Sequence, residues 1–132
     1  MSEAPAPNAA TLKVRNGPLV GAILGRVVGM LAARAQCPID RLDDALLITD
    51  AVAAHAPDHA IDGRVVVIVD ATDERLQLDV GPLHPDGAKA LLAQASLPGV
   101  GNVLERVADE VEPAPGHEAG TERLLIRLRF AT

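Results

Sequence analysis

Leu97-Pro98-Gly99-Val100-Gly101-Asn102-Val103-Leu104-Glu105-Arg106-Val107-Ala108-Asp109-Glu110-Val111, followed after a loop by Gly120-Thr121-Glu122-Arg123-Leu124-Leu125-Ile126-Arg127-Leu128-Arg129-Phe130, decides the fold. The first part reads as a glycine turn opening an amphipathic helix over 99–110. The second reads as a strand over 122–130, introduced by Gly120-Thr121. Residues 112–119 lie between them, acidic and broken by Pro113, Pro115 and Gly116, and read as a loop. Glycines ahead of a helix let the backbone approach an anion, and the unpaired N–H groups there suit a phosphate.

Working outward, residues 63–70 contain the unbroken apolar run Val65-Val66-Val67-Ile68-Val69. Such a strand is buried on both faces, or carries an interface on one. Thr72-Asp73 turns the chain. Residues 75–80 then alternate cleanly, with Leu76, Leu78 and Val80 inward and Gln77 and Asp79 outward. This is a hairpin with one wet face.

Towards the N-terminus, residues 11–15 alternate as a short strand, and residues 1–10 are an Ala/Pro-rich flexible tail. Asn16 and Pro18 mark the start of a helix that runs to about residue 35. A second helix follows Cys37-Pro38, capped by Asp40 and stopped by Pro57. Residues 86–95 form a further short helix. The predicted order is β-α-α-β-β-α-α-β. It implies an α+β fold with two layers, a mostly antiparallel sheet covered on one face by helices, in one domain over 11–132.

Composition narrows the function. A chain of 132 residues buries about two-thirds of its unfolded surface and needs no covalent staple. Phe130 is the only aromatic residue, which removes base stacking, and a net charge of −6 disfavours a phosphodiester partner. No nucleic-acid role is expected. The single Cys37 excludes an internal disulfide and a multi-cysteine zinc site, as in a cytoplasmic protein. His55 and His59 are four apart but straddle Pro57, and no third ligand accompanies them, so no metal site is expected. Residues 17–33 are apolar, yet Arg26 sits in their middle, which argues against a membrane span. Gly17, Gly21, Gly25 and Gly29 form a four-residue row on the first helix. Glycines inside a helix cost roughly 1 kcal/mol each, so the row implies a close helix contact, inside the fold or with a second copy.

The order of these elements, with the helix pair ending near His59-Ala60, the hairpin at Thr72-Asp73 and the Gly-turn helix before Gly120-Thr121, resembles the GHKL (histidine-kinase-like) ATPase domain. It is similar above all to the serine/threonine kinases that act as bacterial anti-sigma factors. The resemblance implies an acid on the second helix at Asp50 as the catalytic group and, four residues on, an Asn that helps hold Mg²⁺. Here that second position is Ala54. It implies an adenine-reading Asp-x-Gly-x-Gly loop in the stretch 78–87, where Gly81 is the turn glycine and alternation assigns Asp79 to the strand. It places a lid at 82–98, a phosphate cradle at Gly99 and Gly101, and a phosphate-contacting hydroxyl at Thr121. With the Asn missing, the resemblance implies a degenerate pseudokinase, a homodimer that binds a sigma factor or an anti-sigma antagonist. The alternative it leaves is an active kinase that uses ATP/ADP with Mg²⁺.

Overall fold

The computed structural model describes residues 8–97 and 101–131. Five strands form one antiparallel sheet in the order β1-β2-β3-β7-β6: β1 Ala9–Arg15, β2 Arg64–Ala71, β3 Arg75–Leu83, β6 Glu110–Pro115 and β7 Glu122–Arg129. A two-stranded ribbon, β4 Ser96–Leu97 and β5 Gly101–Asn102, stands apart. Four helices, α1 Leu19–Arg34, α2 Ile39–His55, α3 Gly87–Gln94 and α4 Val103–Val107, cover one face of the sheet. The molecule is a two-layer α+β sandwich, as the alternation of the strands implied. No helix among the described residues is long and apolar enough to cross a membrane.

The core is almost wholly aliphatic, because Phe130 is the one aromatic residue in the sequence to build it with. Leu12, Val65, Val67, Val69, Leu76, Leu78, Val80, Leu124, Ile126 and Leu128 point from the sheet into the helices, and all are buried. Leu24, Val28 and Leu31 of α1 and Ala45, Ile48 and Val52 of α2 meet them at helical spacing. Among the described residues the one buried polar side chain in this core, Thr49, spends its hydroxyl on Ala45 O at 2.8 Å.

The hairpin β2–β3 closes as a Ser/Thr-type turn. Thr72 Oγ1 accepts from the amides of Glu74 and Arg75, both at 3.2 Å. Val66 and Ile68 lie on the opposite face from Val65, Val67 and Val69 and are half-exposed, so the apolar run is buried on one side only.

Four expectations change. Ala9 and Ala10 are not tail: they pair with Asp70 and Val69, respectively, as the first residues of β1. Asn16 does not cap α1, since its side chain donates to Pro57 O at 3.0 Å, and Asp40 makes no cap bond on α2. A Cβ added at Gly21 would lie 3.5 Å from Ala53 Cβ, but one at Gly25 or Gly29 would meet nothing within 4 Å. The glycine row therefore does not mark close packing inside the chain beyond Gly21. Finally, the helix expected over 99–110 shrinks to α4, and the expected loop after it is an edge strand, β6.

Charge makes that last change. Arg127 Nη1 reaches Glu110 Oε2 at 3.0 Å and Arg129 Nη2 reaches Glu110 Oε1 at 2.6 Å. Asp109 N donates to Arg127 O at 2.9 Å, and Asp109 Oδ2 accepts from Arg129 N at 2.6 Å. These cross-strand bonds draw the chain out of the helix after Val107. Pro113 and Pro115 are tolerated because β6 is an edge.

Candidate functional site

The open face of the sheet carries a cleft of about 320 Å³. Its floor is Val66, Ile68 and Pro82, and the turn between β6 and β7 forms one wall. Lys13 of β1 stands at the other end. Across the middle runs an ion pair, Arg123 Nη1 to Asp79 Oδ2 at 2.6 Å. The side chains are 27% and 14% exposed, so the pair is shielded enough to fix the β3–β7 register. Arg123 Nε also donates to Pro115 O at 2.9 Å, which ties β6 to the same point.

Two of the residues expected to grip a nucleotide come together here. Gly81 lies in the cleft because β3 and β7 approach closely: a Cβ there would meet Glu122 O at 3.2 Å and Arg123 Cβ at 3.3 Å. Thr121 lies there too, but its hydroxyl is spent on the turn, donating to Glu118 O at 2.7 Å. Gly116 closes that turn, its N–H bonding Thr121 O at 2.8 Å, and a side chain at Gly116 would collide with Thr121 Oγ1. Gly81 and Thr121 thus serve the sheet and its turn.

The other expected residues are elsewhere. Asp50 is exposed on the outer face of α2, in line with Ile39, Asp43, Leu47 and Ala54, all exposed. Gly101 is exposed at φ +87°, a left-handed conformation that suits glycine, and pairs with Leu97 in the ribbon. Gly99 lies outside the described residues. The start of α4 is already satisfied: Asn102 Oδ1 accepts from Glu105 N at 3.1 Å, and Asn102 Nδ2 donates to Leu92 O at 2.6 Å. With only one and a half turns and a protein cap, α4 offers a weak dipole to an anion.

Within the described part of the stretch expected to be a lid, both ends of α3 are fastened. Asp86, at φ +64°, donates its N–H to Glu122 Oε2 at 2.9 Å, and Ala88 N reaches Glu122 Oε1 at 3.4 Å. His59 Nε2 and Gln94 Oε1 are 2.9 Å apart, a bond between the end of the α2 region and the end of α3. Sequence reasoning missed Glu122 and Arg123, whose partners are 36 and 44 residues away. The alternation that placed Asp79 on a wet face was the one available signal. Burial, with Asp40 adding to it, raises the Cys37 thiol above its ordinary value.

No protein-family model matches this chain, and the comparison with curated proteins returns no match either.

Proposed function

We propose that this chain is a degenerate relative of the GHKL-type ATPase domain, a cytoplasmic regulator that works by binding a protein, a sigma factor or an anti-sigma antagonist, without nucleotide chemistry. One observation carries the reading. The helix face where an acid and an Asn would hold Mg²⁺ has Asp50 with Ala54 one turn on, flanked by Ile39 at 80% and Leu47 at 48% exposure. Alanine offers no oxygen to Mg²⁺, which takes oxygen ligands. The same face combines large exposed apolar side chains with Asp40, Asp43 and Asp50, all exposed. That composition suits docking on a basic, partly apolar protein surface: apolar anchors supply the affinity, and the carboxylates steer the encounter.

Two further features support the loss of nucleotide binding. The α4 N-terminus is capped from within by Asn102, and the Thr121 hydroxyl belongs to its own turn. The active-kinase reading takes Asp50 as its base, Gly99 and Gly101 as its phosphate cradle and Thr121 as a phosphate contact, and of these the Thr121 hydroxyl is already engaged in its own turn.

Thermal melting with and without Mg-ATP tests the proposal, because a ligand that binds only the native state must raise the melting temperature. No shift at millimolar Mg-ATP is expected. A saturable rise at micromolar Mg-ATP, with phosphate transfer to a partner, would overturn it. Binding to purified sigma factors tests the other half. Leu47→Glu is expected to weaken it about tenfold or more, the loss typical of a buried interface anchor.

A further inference from the structure

We propose that the cleft on the open face of the sheet binds a small amphipathic anion, an acidic head on a short aliphatic body, with the head held at the β1 end. The cleft lies on the side of the sheet away from the helices. The site is therefore separate from the α2 face proposed for protein docking.

Gly81 makes the hollow. Lys13 pairs with Val66 across β1 and β2, and Val66 pairs with Gly81 across β2 and β3. On the far side of Gly81 stands Arg123, whose Cβ a side chain there would meet at 3.3 Å. The row Lys13, Val66, Gly81, Arg123 thus dips where the glycine has no side chain. The floor of the dip is aliphatic, with Val66 and Ile68 both partly open to water and Pro82 beside them. A volume of about 320 Å³ is at the small end of ligand pockets, the size for a small molecule rather than a folded partner. Branched aliphatic side chains with no aromatic among them suit an alkyl body.

Charge selects the head. Four cations of the sheet have partners: Arg75 with Asp70, Arg123 with Asp79, and Arg127 and Arg129 with Glu110. Lys13, Arg15 and Arg64 have none; among the described residues no carboxylate forms an ion pair with any of them. Arg15 and Arg64 are direct partners across β1 and β2, so like charges oppose one another on the open face. That arrangement works against the pairing of the strands. Lys13 lies two residues from Arg15, hence on the same face. Three unmatched cations at one corner of a chain of net charge −6 form a local positive end. The opposite end of the cleft carries Glu118, and Glu122 nearby is spent on the amides of Asp86 and Ala88. An anionic head is attracted at β1 and repelled at the turn. The ligand has one orientation: head on Lys13 with Arg15 and Arg64 beyond it, body along Val66, Ile68 and Pro82.

The test is a titration of the full chain with octanoate, followed by the methyl resonances of Val66 and Ile68 and by the melting temperature. Octanol and octylamine are the matched probes. Octanoate should bind saturably in the millimolar range, move those methyls and raise the melting temperature. Octanol lacks the charge and should bind about tenfold more weakly, the share of one charge-assisted hydrogen bond, and octylamine should bind no better than octanol. Lys13→Gln should weaken octanoate about fivefold and leave octanol unchanged. Val66→Phe fills the hollow and should abolish binding of both, while Leu47→Glu on α2 should change neither. No saturable response to octanoate up to tens of millimolar would overturn the site. So would equal affinity for octanoate and octanol, or octanoate affinity unchanged by Lys13→Gln or Val66→Phe, which would assign the binding to another apolar surface. Should Val66→Phe fail to fold, the Lys13→Gln comparison still decides, because Lys13 is exposed.

Discussion

The two faces of the sheet are held by different physics. The covered face is aliphatic throughout, from Leu12 across Val67 and Leu78 to Ile126. Its cohesion is non-directional and proportional to area, so many aliphatic sequences would serve it. The open face is stitched by directed pairs: Asp70 with Arg75, Asp79 with Arg123, Gln77 and Glu110 with Arg127, and Glu110 with Arg129. These contribute less energy but discriminate register, because a slip by one residue sends every one of those charges into the core. Burial sets how stable the sandwich is, and the ion pairs decide which strand lies against which residue.

The sharpest way to break this contrast is Ile126→Ala. It opens a cavity on the covered face and should cost about 2–5 kcal/mol, read from urea denaturation. A smaller cost would mean that the core repacks. Next comes Asp79→Ala, which strands the Arg123 guanidinium in the cleft. The loss should be about 1–2 kcal/mol, discounted because the arginine keeps some water and its bond to Pro115 O. A double-mutant cycle with Arg123→Ala isolates the pair; coupling near zero would remove the ion pair from the account of the register. Smallest is Gly25→Ala on α1. With nothing within 4 Å of a new Cβ, it should stabilise the fold by about 0.5–1 kcal/mol through helix propensity. Destabilisation would bring back a close internal contact at Gly25.

What was legible in the sequence divides along the same line. Periodicity reports burial, so the covered face could be read: Leu76, Leu78 and Val80 gave a strand, and Leu24, Val28 and Leu31 a helix. Directed pairs join residues far apart in the chain, and no local pattern reveals them. Glu110 looked like the end of a helix because its partners, Arg127 and Arg129, are 17 and 19 residues away. The prolines of β6 read as loop because edge position is a property of the whole sheet. At the site, Gly81 and Thr121 were recognised as special positions, and the structure gives both a reason internal to the fold: strand approach at one, turn closure at the other. Asp50 was placed on α2 correctly, but which face of α2 meets water depends on how the helix layer lies on the sheet.

Glu122 is the first residue of β7, yet its carboxylate holds the amides that begin α3. Strand and helix therefore share one latch, and the stretch from Pro82 onward cannot swing independently of the sheet beneath it. Anything that pulled β7 by a fraction of an ångström would be felt at Asp86 and Ala88. Their amide protons should exchange more slowly than in a Glu122→Ala variant, in which the latch is removed and the strut becomes a hinge.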